Sequence, residues 1–190
     1  MSDLREYLFT ADIVTDFPVP EGKKVTVTDP GYSKDVWCRM DVELPPGDYI
    51  GFYDECTDIG KFNDREIICH SVTASGICSR KEFMENEELV FEKIGMVGVD
   101  GGELGFFIDK PDYSNEEWGK LVDERFKPKR DYDIGEHMPY WCGWHGCQGF
   151  STFSGYGDGL YPVYMIRNKE RACGLLVVFI DEYTDADDEE

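Results

Sequence analysis

Residues 172–180 read ACGLLVVFI, and the six from Leu175 to Ile180 are apolar without a break. Such a run is far short of the roughly 20 residues a membrane span needs. It reads as a strand covered on both faces, and so as a central strand of its sheet. Residues 160–167 form the strand before it, across a turn at 168–171. The fold has to be built around this pair.

The rest of the chain repeats the β signal. In 36–44, Val36, Cys38, Met40, Val42 and Leu44 alternate with Trp37, Arg39, Asp41 and Glu43. Period two predicts a strand with one buried face. Pro45-Pro46-Gly47-Asp48 turns the chain and 49–53 resumes as a strand, so 36–53 is a β-hairpin or a β-corner. A further strand spans 65–74. Residues 79–88 are charged and hold at most one short helical turn. The charges Glu92 and Lys93 leave 89–94 open between strand and helix. Residues 96–99 end at Asp100-Gly101-Gly102, with 104–108 expected as the hairpin partner.

One helix stands out, at 114–126. Ser114 and Glu117 fit a capping box, in which each side chain satisfies an orphan amide. Trp118, Leu121 and Val122 make an apolar stripe. Glu116 and Lys120 can pair one turn apart, and Pro128 closes the helix. Gly119 weakens its interior. No repeat of fixed period appears. Eight or nine strands and one helix predict a mainly β (α+β) fold. It is an antiparallel β-sandwich or a strongly curved sheet with the helix packed on it. A single domain is expected over 1–180, followed by an acidic, disordered tail at 181–190.

Charge narrows the function. Forty Asp and Glu against nineteen Lys and Arg give a net charge of −21. Such a chain repels phosphate backbones and anionic membranes, so neither nucleic acid nor membrane is an expected partner. A basic protein is, through electrostatic complementarity. Disorder is excluded by 41% hydrophobic and 14% aromatic residues. The tail holds seven of the acids and no base. The N-terminus lacks a secretory apolar region, and seven cysteines, an odd number without dense spacing, do not form a secreted disulfide framework. The cytoplasm is the expected compartment. Cys38, Cys69 and Cys173 fall within strand-like runs as small buried hydrophobes.

Three segments carry a resemblance: VTVTDPGY at 25–32, VGVDGGELGFFID at 97–109 and FSGYGDGLYPVY at 153–164. Their order is similar to that of an uncharacterised family of bacterial and phage proteins. That family has Asp-Pro-x-Tyr, Val-Asp-Ser/Gly-Gly…Gly-Phe-Phe-Asp and Gly-Asp-Gly…Tyr-Pro-Val-Tyr segments. The resemblance implies a cytosolic β-rich domain of unknown function. It assigns no catalytic residue and leaves 110–150 uncovered. Gly101 stands here where the family pattern admits Ser.

Three constellations are candidates for chemistry. The turns Asp29-Pro30-Gly31, Asp100-Gly101-Gly102 and Gly157-Asp158-Gly159 place acids in flexible loops. Such turns are ordinary, because Asp caps its own backbone and Gly reaches φ > 0. Brought together, Asp100, Asp109 and Asp158 would suit a hard cation such as Ca²⁺. Cys142, His145 and Cys147 make C-x₂-H-x-C, three zinc-type ligands with Cys69 or His70 as a fourth; the bland alternative is a Gly-rich aromatic loop. Cys147 with His145 is also a conceivable nucleophile–base pair. Lastly, aromatics crowd 132–164, with Tyr140, Trp141, Trp144 and Tyr156 the best contact residues, while 139–156 holds no Asp, Glu, Lys or Arg. Tyr and Trp give large contact area at low entropy cost, though core packing explains aromatics equally well.

Two functions follow. The first is a non-enzymatic binding module using 132–164, with Asp100 and Asp158, against a basic protein and with no cofactor. The alternative is a hydrolase or metal-dependent enzyme using Asp100, Asp158 and His145, with Zn or Ca.

Overall fold

The computed structural model describes residues 4–62, 65–85, 89–125, 141–142, 147–155 and 157–180, with only the backbone at 58–62, 65–70, 122–125 and 141–142. The elements described run α1 (Glu6–Phe9), β1 (Asp12–Val19), β2 (Lys24–Thr28), β3 (Met40–Glu43), β4 (Gly47–Phe62), β5 (Arg65–Ser79), α2 (Arg80–Glu85), β6 (Leu89–Val99), β7 (Glu103–Ile108), α3 (Asn115–Arg125), β8 (Trp141–Cys142), β9 (Gln148–Phe153), β10 (Gly159–Asn168) and β11 (Arg171–Val178). The pairings are antiparallel. A six-stranded sheet, β1-β4-β5-β11-β10-β6, faces a five-stranded sheet, β3-β2-β7-β9-β8. The protein is a mainly β sandwich, as the strand pattern predicts.

The apolar run sits where its composition requires, between β5 and β10 in the six-stranded sheet. Leu175 and Val177 point into the core between the sheets. Leu176 and Val178 point the other way, into a second core with Phe52, Ile166 and Cys173. Tyr7 and Leu8 of α1 are buried in this second core, and Phe83 of α2 packs against it. The Tyr7 hydroxyl donates to the Ile180 carbonyl at 2.7 Å, which ties the start of the described chain to its end. Cys38, Cys78 and Cys173 are free and buried; Cys69 lies on β5, its side chain outside the described residues.

Helix α2 opens on the same Ser-x-x-Glu pattern. The Ser79 hydroxyl donates to the Glu82 carboxylate, which also receives Arg171 from β11. Burial pushes the Glu82 carboxyl up, but Ser79, its own amide and Arg171 together outweigh that and hold it below the usual 4.5. A carboxyl whose folded pKa is depressed stabilises the fold above its unfolded value and loses that contribution as pH falls through the depressed one. Glu82→Gln is therefore expected to be less stable than the wild type near neutral pH. The gap should narrow as pH falls below 4.5 and close once it has passed through the depressed value, read by urea unfolding across pH. An equal gap at every pH would show that Glu82 is not charged in the fold.

Three details differ from the sequence expectation. Strand β3 begins only at Met40. Before it, Val36 N–H donates to the Ser33 carbonyl and Arg39 N–H to Val36, both at 3.2 Å, so 33–39 is a pair of turns. The alternation still predicts burial there, with Cys38 inside and Trp37 out. Next, β6 and β7 are not hairpin partners. β6 pairs with β10, and β7 with β2 and β9, so Asp100-Gly101-Gly102 carries the chain from one sheet to the other. Pro45-Pro46 does the same between β3 and β4, which makes 36–53 a corner. Finally, 89–99 is one strand. The register slips between Tyr164↔Lys93 and Val163↔Gly95, a bulge at Ile94 that breaks the alternation.

Helix α3 matches its prediction closely. Ser114 N–H and Oγ both donate to the Glu117 carboxylate, at 2.9 and 2.7 Å, and Lys120 meets Glu116 at 2.7 Å. It docks through Trp118, whose ring lies 3.0 Å from where a Gly31 side chain would begin. A side chain at 31 would press on the indole, which would have to give by a few tenths of an ångström. The tail at 181–190 and the end of the predicted helix at 126 lie outside the described residues.

Candidate functional site

The three Asp–Gly turns meet at one end of the sandwich, and Asp29 ties two of them together. Its carboxylate is buried and accepts three backbone amides: Gly31 at 2.8 Å, Asp100 at 3.0 Å and Gly101 at 2.7 Å. One oxygen caps its own turn and the other clasps the 100–102 crossing. The third turn joins through Ser154 N–H, which donates to the Gly102 carbonyl at 3.1 Å. The Tyr161 hydroxyl then bridges the Ser154 and Gly157 carbonyls at 3.0 and 2.7 Å. Gly102 and Gly157 take φ of +69° and +103°, the region only Gly enters without strain. Burial raises the Tyr32 hydroxyl well above its usual value, and Cys38, Asp29 and Asp100 raise it further, so it stays protonated.

Asp100 and Asp158 are brought close by register, since each lies one step beyond the Gly159–Val99 pair. Both are exposed. Asp109 is elsewhere: it lies beyond the far end of β7 and pairs with Lys23 at 2.7 Å. Among the described residues no three His, Cys, Asp or Glu side chains gather as a metal site would require.

The neutral segment 139–156 supplies β8 and β9, at one edge of the five-stranded sheet. Trp141 pairs with Ser151 and Cys142 with Phe150 in backbone register. Tyr140, Trp144, His145 and Tyr156 lie outside the described residues, as do the side chains of Trp141 and Cys142. The later aromatics belong to the cores: Phe150 and Tyr161 are buried between the sheets, and Tyr164 packs in the second core.

The sandwich presents four edge strands among the described residues, and three are guarded in the ways proteins protect edges. β1 carries Asp12, Asp16 and Pro18 and slips register at Val14. β3 is four residues with Asp41 and Glu43. β6 has Glu92, Lys93 and the bulge. The β8–β9 edge is also short, since β8 is two residues, but it has no charge, no proline and no register slip among the described residues.

Cys147 opens the way into β9 on a face that composition did not single out. Here Lys110 is buried, its ammonium donating to the Tyr32 and Pro111 carbonyls at 2.8 and 3.1 Å and lying 4.9 Å over the Tyr113 ring. Burial and Arg39 lower the Lys110 pKa, against Asp112, Cys147 and Asp29. Arg39 reaches Asp112 at 3.4 Å and Thr26 at 3.5 Å, while its buried Nε finds no hydrogen-bond partner. Burial pushes the Cys147 thiol up and Asp109 adds to it, with Lys110 pulling it down less. A nucleophilic cysteine needs the opposite balance, so this thiol stays neutral.

Sequence reading missed two things here. Asp29 looked like a local turn cap, though it holds loops far apart in the chain. Lys110 and Arg39 gave no signal, because single basic residues are usually solvated. The chain matches no family model, no curated protein and no solved structure. No helix among the described residues is long and apolar enough to cross a membrane.

Proposed function

We propose that the chain is a cytoplasmic, non-enzymatic binding module whose 132–164 region docks a basic protein. The observation that supports this is the uncharged β8–β9 edge in a protein of net charge −21. An edge strand offers unpaired backbone groups to an extended segment of a partner. Among the described residues every other edge is blunted by charge, proline or bulge, and the β8–β9 edge carries none of these. The surrounding acids attract the basic partner and speed its approach. The neutral core of the contact spares the complex the cost of desolvating charge.

A photo-crosslinking side chain at position 141, compared with one at position 15 on β1, tests the reading. Position 141 is expected to capture a basic protein, identified by mass spectrometry. Capture should fade as salt rises from about 50 to about 500 mM, because screening shortens the reach of the acidic surface. Equal capture at both positions, or none at 141, would overturn it.

A further inference from the structure

We propose that Cys78 and Cys173 form a dithiol site that a hydroperoxide converts to a disulfide across β5 and β11. Both thiols are free and fully buried, and both belong to the second core. Alternation does not predict that place for Cys173. Leu175 and Val177 face the core between the sheets, and period two puts Cys173 on their side. A bulge reverses it. Ile166 of β10 pairs with Gly174 and Arg167 with Ala172, so Cys173 is the extra residue between them. It turns instead to the face of Leu176 and Val178. Cys78 stands on that face of β5, directly across from Gly174. A side chain at 174 would begin 2.9 Å from the Cys78 Cα, so the glycine keeps anything from standing between the two thiols. The Cys78 thiol donates to the Cys173 sulfur. Cys173 in turn donates to the Ile166 carbonyl at 3.4 Å. Two sulfurs in hydrogen-bond contact on neighbouring strands need only a small shift to reach the disulfide bond length of about 2.05 Å.

The pair is also polarised. The hydrogen bond from Cys78 lowers the Cys173 pKa and Arg171 adds to this, against burial and Glu82. The same hydrogen bond, with burial, raises Cys78. Cys173 is therefore the attacking sulfur, with the balance that Cys147 lacks. Its sulfur takes the distal oxygen of the peroxide, the O–O bond breaks, and the alcohol leaves with the Cys173 proton. Cys173 is then a sulfenic acid. The Cys78 sulfur attacks the Cys173 sulfur, and the sulfenic hydroxyl leaves as water with the Cys78 proton. Two electrons pass from the sulfurs to the peroxide. Access runs through α2. Phe83 packs on the core that holds both thiols, and Glu82 is clamped by Ser79 and Arg171. A helix of six residues has little stability of its own, so it opens locally while the sandwich stays folded.

The probe is hydrogen peroxide added to the folded full chain, with peptide mapping by mass spectrometry. The expected product is a linked Cys78–Cys173 peptide, lighter by two hydrogens than its reduced halves together and separated again by dithiothreitol. In Cys78→Ala, Cys173 should stop at the sulfenic acid and be labelled by a 1,3-dione. In Cys173→Ala, Cys78 should take up no label. Absence of the link in the folded chain, a link that forms only in urea, or a label on Cys78 in Cys173→Ala overturns the proposal. The first two outcomes need no substitution, so they decide the matter even where a variant fails to fold. The site lies in the six-stranded sheet, and its failure leaves the β8–β9 reading untouched.

Discussion

Phe150→Ala is expected to cost about 3–5 kcal/mol, the usual range for emptying a buried phenylalanine site. The ring is fully buried. It stacks on Phe106 at 5.5 Å, meets Phe17 edge-on at 6.1 Å, and fills the notch left by Gly51 on the opposite sheet, 2.5 Å from where a side chain there would begin. Phe150 comes from the five-stranded sheet; Phe17 and Gly51 belong to the six-stranded one. Removing the ring opens the seam between the sheets, and backbone cannot collapse into so large a gap. For a chain of this length each kcal/mol lowers Tm by about 2–4 °C, so a drop on the order of 10 °C is expected by calorimetry. Phe150→Leu should lose roughly half as much, since it refills part of the space. A loss below about 1 kcal/mol would mean that Phe150 is a contact residue of the aromatic segment and not a strut of the core.

Asp29→Ala should be nearly as costly, about 3 kcal/mol. Three amides lose a charged acceptor, and an unsatisfied buried donor costs about 1–3 kcal/mol, reduced where water reaches the loop. Asp29→Asn should cost about half as much, because its carbonyl still accepts while its NH₂ confronts a donor. Hydrogen exchange gives the sharper readout. The Asp100 and Gly101 amides should exchange much faster in Asp29→Ala, with those of β11 slowed or sped only in line with global stability. Unchanged protection at 100–101 would show that the crossing holds itself.

Legibility in the sequence followed the range of the physics. β11 was visible because burial on both faces writes an unbroken apolar run. α3 was visible because its capping box and i, i+4 pair are local. α2 has the same Ser-x-x-Glu signature at Ser79 and Glu82, but six residues are too few to show an apolar stripe. The destinations of the turns were hidden. Asp100-Gly101-Gly102 says that the chain reverses, yet nothing local says which sheet receives it. That choice is made by Asp29, 71 residues away. At the candidate site, the neutrality of 139–156 could be counted from composition. The guarding of the other three edges could not, since an edge exists only once neighbours are assigned. Trp37 was placed on a polar strand face by alternation, and its exposure follows.

The crossings have a bearing on how the chain comes to its fold. β1 belongs to one sheet, β2 and β3 to the other, β4 to β6 to the first, β7 to β9 to the second, and β10 and β11 to the first again. Neither sheet is built from consecutive strands. β11, inside the larger one, comes after every other described strand in the chain, and it fills the place between β5 and β10. Until it arrives, β4–β5 and β1 wait as a sheet without its middle, with apolar surface open on both faces. Non-local pairing of this kind is slow, on the millisecond-to-second scale. A body carrying so many like charges keeps such half-built chains apart in that interval, which gives the acidity a use before any partner is met.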